Sequence, residues 1–181
     1  MLILSVVSLL IIIGFLSYVT YFFVTYKQVP PSLSQTAEFP HCYYGFQTVI
    51  CTTFGFLQFY YPCLYPFSDY GFSAILLNAG CSGLALAGYF SYSPWEETKR
   101  NMTIHKFGSL SGGVLIGVFY AVVLGQWLLT LSALTAALLL GYFIPGHGYE
   151  REKDNSITFW VEIGLTVIIV KDLISKFLEF I

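Results

Sequence analysis

From Phe107 to Pro145 the chain carries no charged side chain. Built as one straight helix, that run would extend about 58 Å, nearly twice the ~30 Å hydrocarbon core of a bilayer. It has to fold back on itself. Its only polar interruption is Gly125-Gln126, followed by Trp127, which puts a tight turn there and divides the run into spans at 107–124 and 127–145.

The remaining charges are grouped in the same way, in short clusters between long uncharged runs. Charged residues amount to 10% of the chain, against about 25% in an ordinary soluble domain, while apolar residues reach 56% and aromatic ones 19%. Lipid offers no water to unsatisfied amides, so each crossing segment has to be helical. The expected fold class is therefore all-α: a polytopic membrane helical bundle of about six transmembrane helices, forming one integral membrane domain over residues 1–181.

Four further spans complete the set, at 2–24, 43–64, 70–92 and 157–177. The first lacks a positive n-region and a small-residue cleavage site, so it reads as a retained span. Lys27 and Pro30-Pro31 end it, and the connection from Thr25 to Cys42 reads as an ordered or semi-rigid loop over one face. In the second, Tyr43, Tyr44 and Phe46 at one end and Phe59, Tyr60, Tyr61 and Tyr65 at the other suggest interfacial aromatic belts. The third stops at Pro94 and "WEETKR". For the sixth, Asp154, Asn155 or Ser156 offers an N-cap. Its end carries an apolar stripe of Val170, Leu173, Ile174, Phe177, Leu178 and Ile181, with Lys171, Asp172, Lys176 and Glu179 on the remaining faces. That pattern predicts an amphipathic tail emerging at the interface.

Lys27, Lys99, Arg100, Lys106, Arg151 and Lys153 follow spans one, three and five, against Lys171 and Lys176 on the opposite side. The positive-inside rule then makes the first group cytoplasmic and both termini external. Asn101-Met102-Thr103 matches a glycosylation acceptor but falls on the cytoplasmic side, so it is expected to carry no sugar. A net charge of −2 argues against nucleic acid as a partner. Cys42, Cys51, Cys63 and Cys81 show neither CxxC nor zinc spacing and read as reduced, buried small hydrophobes.

Small residues recur at every fourth position of the fourth span: Ser109, Gly113, Gly117, Ala121 and Gly125. Ala79, Gly83 and Ala87 repeat the pattern in the third span, and Ala133, Ala137 and Gly141 in the fifth. Membrane helices associate through close packing, and small side chains let backbones approach. Spans three to five are accordingly expected to form the tight inner core. The alternative use of the glycines is to make room for a lipid, an ion or a small ligand.

Titratable side chains inside a span are costly and mark a site facing the bundle interior. Glu162, in "FWVEIGL", and His105, at the head of the fourth span, enter from the same side at comparable depth. Asn78, Gln47, Gln58 and Ser82 are expected to hydrogen-bond between helices. His41 and His147 lie on that same side, so convergence with His105 and Glu162 would supply metal-compatible ligands, yet no HxxxH or HExxH spacing enforces it. No metal or cofactor is expected, and no phosphate loop or GxSxG elbow is present.

At "VPPSLSQT", "IHKFGSLSGG" and "FWVEIGL" the chain resembles small multi-span proteins without assigned function from Bacteroidota and their phages. Through "LNAGCSGLALAGYF", "IHKFGSLSGGVLIGVFY" and a glutamate in the last span it is also similar to the six-span Frag1/DRAM-type families, at Asn78, His105, Gly108 and Glu162. The resemblance implies a fold and a membrane location, and no reaction; together with the positive-inside orientation, the expected location is a bacterial inner membrane, multi-pass, with both termini periplasmic. The leading expectation is a non-enzymatic membrane component that binds lipid or a partner, membrane lipids first and then itself or another membrane protein through the second span and the tail. A small channel or proton-coupled transporter using Glu162 and His105 is the alternative, and a membrane-embedded enzyme the third.

Overall fold

The structure is a computed structural model and describes residues 2–39, 41–91, 99–147 and 153–179. Pro40, Pro94, most of "WEETKR", Arg151 and Ile181 fall outside them. Helix α1 covers Leu2–Tyr26, and a 3₁₀ turn, Ser34–Glu38, leads to α2 at Tyr43–Leu64. A single-turn α3, Phe67–Tyr70, precedes α4 at Phe72–Tyr89, and α5 runs over Lys99–Val118 into a π-helical turn, Phe119–Val123. Helix α6 is Trp127–Phe143, strands β1 (Pro145–His147) and β2 (Lys153–Asn155) form a small antiparallel hairpin, and α7 is Ile157–Glu179.

The described residues thus form a helical bundle with several apolar helices compatible with a membrane protein. Val6–Tyr26, Phe72–Tyr89 and Met102–Val123 are long and apolar enough to cross a bilayer, and Trp127–Phe143 is a shorter apolar helix. Large apolar side chains cover the outside: Leu10, Ile13, Leu110, Leu139, Val167 and Leu178 are all exposed. A patch of that extent signals a non-aqueous surrounding or a partner.

The turn at Gly125 forms where the polar interruption requires it. Gly125 adopts φ 65°, a left-handed value that glycine reaches without penalty, and the Gln126 N–H donates to the Tyr120 carbonyl at 3.0 Å. Gly71, at φ 53°, makes a second break and starts α4 at Phe72. Helix α5 begins at Lys99, earlier than the apolar run alone implies, so its first turns carry the polar residues.

Helices α4 and α5 meet backbone to backbone. A methyl group built on Gly108 would lie 2.6 Å from the Gly83 carbonyl oxygen, and one on Gly112 would lie 2.7 Å from that of Gly80. Only glycine allows this approach, which brings Cα–H groups against carbonyl oxygens. The contact face of α5 is therefore Gly108–Gly112 and not the adjoining Ser109–Gly113–Gly117 stripe. Gly113 has only Leu165 nearby, at 3.8 Å, and Gly117 has nothing within 4 Å. Farther along, the π turn adds a residue to the winding and takes Ala121 and Gly125 off the line. On α4, Gly83 and Ala87 lie against α5, while Ala79 is exposed.

The fifth span also finds a different neighbour from the one expected. Gly141 of α6 abuts the backbone of Ile157, a built methyl lying 2.5 Å from its Cα, and Gly164 of α7 faces the Ala133 carbonyl oxygen at 3.4 Å. Helix α6 thus packs on α7, and the expected three-helix core of spans three to five is replaced by two tight pairs, α4–α5 and α6–α7. Helix α2 covers the other side of α4, where Gly88 meets Ile50 and Cys51.

The loop after α1 does not lie over a face of the bundle; it inserts into it. Residues Leu33, Ser34, Gln35, Thr36, Ala37, Glu38 and Phe39 are buried. Its backbone is held by the neighbours: His147 N–H donates to Val29 O at 2.7 Å and Phe159 N–H to Pro31 O at 3.0 Å. Tyr18 of α1 bonds the Thr36 hydroxyl, which in turn donates to Leu33 O at 2.6 Å. Ser156 turns its own hydroxyl onto the Ile144 carbonyl and so ties the end of α6 to the start of α7.

Gly108→Ala is expected to force α4 and α5 apart, at a cost of about 1–3 kcal/mol typical of overpacking. Gly117→Ala should stay within about 0.5 kcal/mol of the parent, as at an uncrowded position. Thermal unfolding of the two variants in the same detergent checks the contrast.

Candidate functional site

The splay between the two pairs leaves a cavity of about 800 Å³ bounded by α5, α6, α7 and the inserted loop. That volume is within the range of small-ligand sites. The stripe of small residues forms part of its wall: Ser109, Gly113 and Gly117 all line it. The distance along α5 from His105 to Gly117 is about 18 Å at the helical rise, close to the depth of one leaflet's hydrocarbon.

Polar groups gather at one end. Lys106 and Ser109 of α5, Glu162 and Thr158 of α7, and Ser32, Ser34 and Gln35 of the loop line it there. Toward the other end the lining becomes Gly113, Val114, Gly117, Ala133, Leu134 and Leu165, with Thr130 as an isolated hydroxyl that donates to its own helix at Gln126 O. Leu110, Val114 and Leu134 line the cavity and are also exposed on the outer surface. The slot therefore opens sideways between α5 and α6.

Glu162 and His105 share this slot without a hydrogen bond between them. Glu162 Oε2 accepts the Leu33 N–H at 2.6 Å, which closes the start of the 3₁₀ turn. His105 is buried, and its Nδ1 donates to the Ala87 carbonyl at 2.7 Å, stapling α5 to the end of α4. That bond assigns the proton to Nδ1 in the neutral ring. Each ionisable group is thus anchored to the backbone of a different element.

Asn78 is not part of the slot. Its Nδ2 donates to Gln58 O at 2.9 Å, Gln58 Nε2 donates to Ser82 Oγ at 2.6 Å, and Ser82 donates back to Asn78 O at 3.0 Å. This closed set joins α2 to α4. His41 is exposed before α2 and His147 lies in β1, neither lining the cavity with His105 and Glu162. Among the described residues no group of three or more His, Cys, Asp or Glu side chains gathers in a way that would hold a metal ion. The four cysteines are unbridged. Burial raises the Cys42 thiol above its ordinary pKa, away from the reactive thiolate.

A second polar cluster, at the far end of α7, has no counterpart in the sequence-based expectation. Asp172, expected on the polar side of an emerging tail, is buried. Tyr65 donates to its Oδ1 at 2.7 Å and Tyr120 to its Oδ2 at 3.0 Å, while Tyr61 lies 2.8 Å from the Tyr120 hydroxyl. Since Tyr120 has given its proton to Asp172, Tyr61 is the donor to Tyr120. Tyr60, Tyr61 and Tyr65 are accordingly core residues and not an interfacial belt. The spacing of Tyr61 and Tyr65, four apart on one helix face, was the available signal. The partner carboxylate was masked by the lysines around it.

The described residues make up a helical bundle with membrane-compatible apolar helices and an amphipathic slot that opens sideways between α5 and α6. No family model, curated protein or solved structure matches the chain.

Tyr120→Phe is expected to cost about 1–3 kcal/mol by stranding a buried carboxylate oxygen. Replacing Tyr61, Tyr65 and Tyr120 by Phe together with Asp172→Leu should recover much of that loss, because the buried polar groups then leave together. Thermal unfolding in detergent measures both, and a silent Tyr120→Phe would remove the network from the account.

Proposed function

We propose that this chain is a six-span, non-enzymatic integral membrane protein whose α5–α6–α7 slot binds one amphiphile drawn from the bilayer. The carrying observation is the gradient along the slot, from Lys106, Ser109 and Glu162 at one end to Gly113, Gly117, Leu134 and Leu165 at the other. A molecule with a polar head and an apolar chain matches that order, and the opening between α5 and α6 lets it enter from lipid without crossing water. The bare glycine wall supports the same reading, since a chain lying on Gly113 and Gly117 meets backbone and not bulk.

In this reading the spans are α1, α2, α4, α5, α6 and α7. The positive-inside rule makes the side of Lys27, Lys99, Arg100 and Lys106 cytoplasmic, and with it the polar mouth that Lys106 lines, and puts both termini on the other. In a bacterium that corresponds to the inner membrane with periplasmic termini.

Gly113→Leu combined with Gly117→Leu should fill the apolar half of the slot. Mass spectrometry of lipid retained through purification in mild detergent is expected to show bound amphiphile in the parent and its loss in the double variant. Gly14→Leu, at an open position on α1 with nothing within 4 Å, should retain it. Equal retention in all three proteins, each with an unchanged melting temperature, would contradict the proposal.

The shared location of Glu162 and His105 favours a second reading, proton-coupled transport through the slot. Liposome flux separates the two: transport requires a proton-dependent flux that Glu162→Gln abolishes, and amphiphile binding alone requires none above empty vesicles.

A further inference from the structure

The polar mouth contains an amine and a carboxyl group that do not pair with each other. Lys106 of α5 and Glu162 of α7 line the same cavity, yet no ion pair joins them, and the pair formed among the described residues is Lys176–Glu179, elsewhere on α7. Glu162 is held in place through Oε2 by the Leu33 N–H, while Oε1 has no hydrogen-bond partner among the described residues. Ser109 and Thr158, about one helical turn from Lys106 and Glu162, present hydroxyls to the same space, and neither is bonded within the described structure. Charges at a membrane-facing mouth are costly unless compensated. One occupant that carries both an anionic and a cationic group would satisfy both side chains at once.

Resting on the amphiphile-binding reading above, we propose that the occupant's head is zwitterionic and carries a phosphate together with a primary ammonium, as in phosphoethanolamine lipids. Lys106 and the Ser109 hydroxyl face the phosphate, and Glu162 Oε1 takes an N–H of the ammonium. A quaternary ammonium has no N–H to give that oxygen, and a head bearing only phosphate leaves Glu162 uncompensated. The head is thus selected by donor count as well as by charge.

The test uses the full chain, delipidated in a neutral detergent and titrated with dioleoyl phosphatidylethanolamine, phosphatidylcholine or phosphatidylglycerol, or with water-soluble glycerophosphoethanolamine, read by native mass spectrometry. Phosphatidylethanolamine is expected to bind about tenfold or more tightly than the other two lipids, the value of a charge-assisted hydrogen bond. Glu162→Gln keeps an acceptor for the Leu33 N–H, and its melting temperature verifies the fold. It should erase the preference over phosphatidylcholine, whereas Lys106→Gln should weaken both lipids alike. Equal binding of all three lipids, or a preference untouched by Glu162→Gln, overturns the headgroup assignment and leaves amphiphile binding standing. Binding of no lipid overturns the amphiphile reading itself, as does capture of glycerophosphoethanolamine as tightly as the lipid.

Discussion

The backbone contact between α4 and α5 governs the arrangement of the rest. With Gly80 and Gly83 against Gly108 and Gly112, the two helices approach as closely as their main chains permit, and His105 adds a bond to Ala87 O at the end of α4. That fixes the rotation of α5 about its axis. The adjoining glycines, Gly113 and Gly117, then face away from α4 toward α7 and α6. Because α6 is drawn onto α7 through Gly141 and Gly164, only Leu165 approaches Gly113, and Gly117 is left open. The slot follows from two good packing interfaces that cannot both extend to a third.

The same helix α7 carries a buried-facing carboxylate toward each end, about 15 Å apart at the helical rise. Both are engaged, but with different consequences. Asp172 has both oxygens taken by tyrosine hydroxyls, of Tyr65 just past the end of α2 and of Tyr120 in the π turn, which closes that end of the bundle with aromatic side chains. Glu162 has one oxygen committed to the inserted loop and one remaining at the cavity. The Asp172 end is closed by its partners, whereas the Glu162 end retains a carboxylate oxygen beside the cavity. The loop matters to both fold and site, since Leu33 orients Glu162 while Ser32, Ser34 and Gln35 help to line the mouth.

Much of the helical layout was legible because charge and hydrophobicity respond directly to the surrounding solvent. The turn at Gly125 follows from the length of the run between Phe107 and Pro145, and α2, α6 and α7 begin at Tyr43, Trp127 and Ile157. Which face of a glycine-rich helix makes contact was not legible. Gly108–Gly112 and Gly113–Gly117 have identical spacing, and only the neighbour, with Gly80 and Gly83 three apart, decides between them. For the same reason the pairing of α6 with α7 and the depth of the loop could not be read from periodicity, which describes one element at a time. Glu162 and His105 were identifiable as costly in lipid, whereas Asp172 was hidden by the lysines beside it and Lys106 gained its interest only from the cavity it lines.

An experimental structure of the protein in lipid nanodiscs tests the central claim most directly. The account predicts α4 and α5 in contact at Gly83 and Gly108, with an elongated density lying on Gly113 and Gly117 and its broader end beside Lys106 and Glu162. A direct α5–α6 contact that covers Gly113 and Gly117 with side chains, leaving no space between the two helical pairs, would contradict it.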